Sequence, residues 1–246
     1  MAPRVVHMNP KAVTFDVYGT LLTIETDEES STAFQVFCRW LFLNEVRADP
    51  EKLKRDYKEG FRRLEDDMVK RGIENPEVDV RDVLSDILGG YGRRRFVEEA
   101  ALVFRAITTK YISVRAGVEA TLKSLGVPLA LVSNAQAAFT WPELRAFQLD
   151  SLFNVIVLSS EVGSKKPSAV PFSVALSRLG LLGREEEVVH VGDTYEADVL
   201  GAKAAGMKVV LIAKEDERRA GRFQVPPDGY LDPSRFEELP DVIRGI

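Results

Sequence analysis

Residues 12–22 read AVTFDVYGTLL. Ala12 to Phe15 run without polar alternation and stop at Asp16, and Tyr18-Gly19-Thr20 has the composition of a turn. A short continuous run bounded in this way reads as a strand buried on both faces, ending at Asp16. The chain beyond Val114 extends the pattern. Continuous runs rich in branched residues at 129–132, 155–158, 188–191 and 209–212 alternate with helical stretches at 118–125, 144–149, 171–179 and 195–205. Strands that alternate with helices imply a parallel α/β sheet.

Between these parts, from about Thr26 to Tyr111, apolar residues recur at helical spacing. The series are Phe34, Phe37, Leu41; Leu53, Tyr57, Phe61, Leu64, Met68; Val80, Val83, Leu84, Ile87, Leu88; and Phe96, Ala100, Val103, Phe104, Ile107. Gly72, Asn75-Pro76 and Gly89-Gly90 punctuate them. The reading is four helices inserted after the first strand. The expected division is a discontinuous core over 1–23 and 113–246, with a helical insert over 24–112. The tail is read as a strand or loop and a short helix opening after Asp232-Pro233.

The chain has 246 residues, 45% of them apolar and 29% charged, which suits one folded domain with a sizeable insertion. A formal net charge of -5 offers no basic footprint for nucleic acid or an anionic membrane. No run approaches the ~20 apolar residues of a membrane span, and the first residues lack an apolar leader core. The lone cysteine, Cys38, allows no internal disulfide and sits among apolar residues as a core filler. Together these features fit a cytoplasmic protein with neither nucleic acid nor membrane as partner, and leave monomer and homodimer both open.

Ligands of open parallel sheets bind outside the carboxyl ends of the strands. Four such ends carry polar residues: Asp16; Ser133-Asn134; Lys165-Lys166, after the third run; and Gly192-Asp193-Thr194, with Asp198 a turn later. The fold would gather them at one edge.

The segments FDVYGTLL, LVSN, GSKKPSAVPF and HVGDTYEADVLGAKAAGM resemble, in order and spacing, the four motifs of the haloacid-dehalogenase superfamily. The resemblance implies a Rossmann-like core with an α-helical cap after strand one. It also implies a covalent mechanism with Asp16 as nucleophile. Ser133 would donate to a phosphoryl oxygen, with Asn134 adding a donor. Lys166 would neutralise developing charge and hold Asp16 ionised. Thr20 would hold the loop or the nucleophile by hydrogen bonding, or contact the substrate. Mg²⁺ would be held by Asp16, the Tyr18 main-chain carbonyl and Asp193, with Asp198 a second acid bound directly or one layer out. Magnesium asks for one or two carboxylates and fills its remaining positions with water and substrate oxygens.

One position departs from the family's phosphatases. They carry aspartate two residues after the nucleophile, as acid and then base, a role worth roughly 10²–10⁴-fold; here stands Tyr18. The family's L-2-haloacid dehalogenases read Asp-x-Tyr-Gly-Thr, as this chain does. They lack the metal-binding acid that Asp193 supplies here, and they need a cap arginine to receive halide, for which Arg39 and Arg47 are the candidates. The leading reading is therefore a Mg²⁺-dependent phosphatase of a small phosphorylated metabolite, working through an aspartyl-phosphate. The alternatives are a metal-independent haloacid dehalogenase and a weakly active or non-catalytic phosphometabolite binder. His190 reads as a hydrogen-bonded core residue, and some of Phe34, Phe37 and Phe61 as cavity lining.

Overall fold

The computed structural model describes residues 9–221 and 223–246, so that of the two histidines His190 is described and His7 lies outside the described residues. Six strands form one sheet: β1 (Ala12–Phe15), β4 (Leu129–Ser133), β5 (Val155–Leu158), β6 (Val188–Gly192), β7 (Lys208–Ile212) and β8 (Gly229–Leu231). Their order is β5-β4-β1-β6-β7-β8, and every neighbouring pair is parallel. Register sets Val13 beside Leu129 and Thr14 beside His190. The chain fills one side of β1 and then the other, so β1 is the point where the winding reverses. Such a switch opens a crevice at the carboxyl edge.

The two faces of β1 explain its unbroken apolar run. Successive side chains point to opposite faces. Val13 and Phe15 enter one core with Val118, Leu122, Leu144, Leu239 and Ile243. Ala12 faces the other, with Ala130, Val132, Phe172, Leu176 and Val199. Helices thus cover both sides: α5 (Val118–Ser124), α6 (Ala137–Ala146) and α11 (Leu239–Arg244) on one, and α8 (Ala169–Leu179) and α9 (Gly201–Ala204) on the other.

The insertion holds α1 (Ser31–Leu43), α2 (Pro50–Lys70), α3 (Val80–Gly89) and α4 (Val97–Thr108). Ser30, Asp49 and Asp79 cap the first three by accepting from the main-chain N–H of Ala33, Lys52 and Arg81. Phe34, Phe37, Tyr57 and Phe104 pack edge-on or tilted in its own core, together with Phe139 of α6. Phe34 and Phe37 are therefore buried packing residues rather than cavity lining, and Cys38 is buried beside them. The loop before α3 lies on the main domain: Glu77 N–H donates to the Gly163 carbonyl at 3.2 Å, and Lys165 N–H to that of Asn75 at 2.8 Å.

Three expectations need correction. The insertion springs from an antiparallel ribbon, β2 (Leu22–Thr26) with β3 (Thr109–Val114), which the reading of four helices does not include. Its two-residue alternation (Leu22 buried, Thr23 exposed, Ile24 half-buried, Glu25 exposed) is a strand signal. Helix α6 begins at Ala137 and retains Pro142 in its interior. Burial of Ala137, Phe139, Thr140 and Leu144 compensates for the main-chain hydrogen bond that a proline cannot make. The C-terminal helix opens at Leu239, with Pro240 in its first turn, and not after Pro233.

Candidate active site

The four polar strand ends meet. Asp16 follows β1 directly, Ser133 ends β4, Lys166 precedes α8, and Asp198 sits on a π turn (Tyr195–Leu200) after β6. Lys166 is 3% exposed and donates three hydrogen bonds: to Asp16 Oδ1 at 2.7 Å, to Asp198 Oδ1 at 2.6 Å and to the Val132 carbonyl at 2.8 Å. All three ammonium protons are thus engaged.

Asp198 is saturated. Its Oδ1 also meets His190 Nε2 at 3.0 Å, and its Oδ2 accepts from Thr194 N–H at 2.9 Å. Burial pushes its carboxyl up, but Lys166 and His190 outweigh that and hold it below the usual carboxylate range. A Cβ on Gly192 would lie 2.2 Å from Asp198 Cγ, so only glycine lets the carboxylate fold back under the strand end. His190 is fully buried against Phe172, in the core as expected; its other nitrogen, Nδ1, meets Thr14 Oγ1 at 2.8 Å. Burial lowers its pKa, so the ring is neutral. A carboxylate can only accept, which places the ring proton on Nε2 and makes Thr14 the donor to Nδ1.

Asp16 is 8% exposed. Burial raises its carboxyl to about 7, with Lys166 pulling down and Asp198 and Asp193 pushing up. Asp193 faces solvent, yet partial loss of water and the Asp198 charge raise it to about 6. A Cβ on Gly19 would lie 1.9 Å from Asp193 Oδ2, and Gly19 has φ +82°. The Asp193 carboxylate therefore lies directly against the loop that follows Asp16. Two carboxylates raised chiefly by burial, and further by the Asp198 charge, gain from a cation beside them. Asp16, Asp193 and the Tyr18 carbonyl suit magnesium, which does not need a protein cage. Among the described residues, no group of three or more His, Cys, Asp or Glu is arranged to hold a metal by itself.

The Ser133 and Thr20 hydroxyls are buried and have no hydrogen-bond partner within the protein. An orphaned buried hydroxyl is costly unless a ligand completes it. The loop-holding bond considered for Thr20 is not made. Arg115 does that work, donating to the Thr20 and Gly19 carbonyls and to that of Pro233. Asn134 is redirected too: its Oδ1 accepts from Lys166 N–H at 2.6 Å and its Nδ2 donates to the Lys166 carbonyl at 2.9 Å. Both ends of the amide serve the lysine main chain, so Asn134 positions Lys166. Lys165 turns away to Glu65.

Tyr18 is tied down. Its phenol donates to Glu143 Oε2 at 2.5 Å and shares a hydrogen bond with Thr140 Oγ1 at 2.9 Å. Burial and the Glu143 charge raise its pKa well above the usual range. Arg105 pairs with Glu143 at 2.6 Å and Glu28 at 3.1 Å, and stacks over the Tyr18 ring. Sequence reading missed Arg105, Glu28, Glu77 and Glu143. They lie on the inserted helices, on loops or on α6, outside any strand-end pattern. Arg39 and Arg47, the candidates for receiving halide, are exposed and do not line the cavity beside Tyr18.

A family model described as haloacid dehalogenase-like hydrolase matches residues 10–206. The chain is 29% identical over 248 residues to a glyceraldehyde 3-phosphate phosphatase of Methanopyrus kandleri, covering 96% of this chain and 98% of that one. It is 30% identical over 203 residues to a phosphoglycolate phosphatase of Chromobacterium violaceum, covering 82% and 84%. Its fold matches a 2-haloacid dehalogenase from Pseudomonas syringae pv. Tomato with a TM-score of 0.67 at 22% identity, over 95% of this chain and 98% of that one.

Proposed function

The chain belongs to the haloacid dehalogenase-like hydrolase family and is a hydrolase, and on that premise we propose that it is a Mg²⁺-dependent phosphatase of a small phosphorylated metabolite. The observation that carries the reading is the convergence of Asp16, Lys166 and the unpartnered Ser133 hydroxyl at one strand edge, with Asp193 against the same loop. The division into a core (1–23 and 113–246) and a helical cap (24–112) is part of the proposal. So are a monomeric or homodimeric state and a cytoplasmic setting, the last suiting a free, buried Cys38. No described helix is long and apolar enough to cross a membrane.

Asp16 attacks phosphorus through a carboxylate oxygen, and the bond from phosphorus to the ester oxygen breaks. Lys166 neutralises the growing charge while Ser133 donates to a phosphoryl oxygen. Water then attacks the aspartyl-phosphate, releasing phosphate and restoring the carboxylate. Magnesium, held by Asp16, the Tyr18 carbonyl and Asp193, would shield the phosphate from the nucleophile's charge. Asp198 acts at one remove, by holding Lys166 charged and in place. Thr20 has a free buried hydroxyl and stays a candidate substrate contact. Tyr18 supplies no proton, because its phenol is committed to Glu143; the leaving oxygen takes one from water. Esters with good leaving groups react fastest for that reason.

The test is phosphate release from an aryl phosphate with Mg²⁺ and with chelator, beside halide release from a 2-haloacid. Metal-dependent phosphate release is expected. Halide release indifferent to chelator would replace the reading with a dehalogenase. Silence in both assays, with an anion still raising the melting temperature, would replace it with a binder.

A further inference from the structure

A cavity of about 260 Å³ lies beside the Asp16 loop, with Tyr18 and Asn134 in its wall. Pockets for drug-sized ligands span about 300–1,000 Å³, so this one admits only a small group next to the phosphate. What that group can be depends on charge.

Arg105 is the one cation lining the cavity among the described residues, and it is already paired with two carboxylates. Its Nε donates to Glu143 and its Nη1 to Glu28, its side chain is 11% exposed, and its guanidinium lies over the Tyr18 and Phe139 rings. Two carboxylates share the wall with it, Glu28 and Glu77. Glu77 accepts from Ser159 Oγ at 2.9 Å and from Gln136 Nε2 at 2.9 Å, both neutral; the Lys165 charge reaches it from outside the wall, where that ammonium pairs with Glu65. The wall therefore carries two acids against one base, and a third acid, Glu143, stands behind the base. A carboxylate entering here would be desolvated between like charges with no free cation to meet it. A hydroxyl would find carboxylate acceptors.

We propose that this site selects phosphomonoesters whose remaining part is short, uncharged and hydroxylated or carbonyl-bearing, and discriminates against those bearing a carboxylate. The selection rests on the phosphatase reading and narrows it. The two curated relatives described above divide on this point: glyceraldehyde 3-phosphate has an uncharged tail, whereas phosphoglycolate ends in a carboxylate. Identities of 29% and 30% do not choose between them; the cavity wall does.

The experiment measures kcat/KM with Mg²⁺ for glyceraldehyde 3-phosphate, glycerol 3-phosphate, phosphoglycolate and an aryl phosphate. The better uncharged ester should exceed phosphoglycolate by at least tenfold. Glu28→Gln frees part of Arg105 and should narrow that ratio at least fivefold, mainly through KM for phosphoglycolate. Glu28 is part-exposed; should the variant nevertheless misfold, the ratio in the unaltered chain decides alone. Aryl phosphate hydrolysis with a ratio below ten, or a ratio that Glu28→Gln leaves unchanged, overturns the selectivity and leaves the phosphatase standing. No phosphate release from any ester, the aryl phosphate included, overturns both.

Discussion

Replacing the proposed nucleophile should make the protein more stable, in a manner that reports its charge. Asp16 is buried and keeps its proton up to about 7, whereas an aspartate in an unfolded chain titrates at about 3.9. The folded chain binds this proton more tightly, so stability falls as pH rises from about 4 and levels off above about 7. At about 1.4 kcal/mol per pH unit, that interval sets an upper bound of about 4 kcal/mol on the cost of the buried charge. Asp16→Asn removes the charge and keeps an oxygen that accepts from Lys166, while Lys166 keeps Asp198 as its counter-ion. We expect the metal-free Asn variant to match the unaltered chain near pH 4. Above pH 7 it should exceed it by about 1–3 kcal/mol, allowing for relaxation around the buried pair. The assay is urea unfolding in chelator across this range, with the denaturant slope compared between the two proteins. Added Mg²⁺ should erase most of the difference by stabilising only the aspartate form, and phosphate release should vanish in the variant. An Asn variant less stable at pH 8, or a gain that does not grow with pH, would refute the account of a crowded, under-compensated carboxylate.

Two further variants probe the loop that follows. Gly19→Ala adds a Cβ where Asp193 Oδ2 lies 1.9 Å away, at φ +82°; displaced Asp193 should raise the Mg²⁺ concentration for half-maximal rate at least tenfold, read by magnesium titration, at a stability cost of about 1–2 kcal/mol. Tyr18→Phe removes the phenol bound to Glu143 and should leave kcat for an aryl phosphate within about threefold, since general acid–base help would be worth roughly 10²–10⁴-fold. A hundredfold loss in steady-state assays, with the fold intact, would return the phenol to the chemistry.

Much of the site could be read early because the residues that carry it end strands. Asp16, Ser133 and Asp193 each follow an apolar run that can only be a buried strand, and parallel sheets place those ends together. Lys166 and Asp198 are singled out by the resemblance to the family's third and fourth motifs, but their partnership is not. That Lys166 gives two protons to carboxylates from different segments, and that Asn134 spends its amide on the Lys166 main chain, are consequences of how α8 and the π turn pack against the sheet edge. The ribbon under the insertion was missed because its alternating residues border strongly helical stretches, and α6 was misplaced because Pro142 reads as a breaker when burial is unknown.

Local pattern was enough for the elements, for the parallel α/β architecture with its helical insertion, and for the candidates at the strand ends. Each of those depends on periodicity and on short-range chemistry that the chain carries within a few residues. The state of Tyr18, the pairing of Asp198 with Lys166, the rivet of Arg115 and the charge of the small cavity depend on groups from tens to more than a hundred residues apart. Distance, burial and counter-charge between such groups exist only once the sheet and the insertion have closed on each other, so the tertiary structure alone decided them.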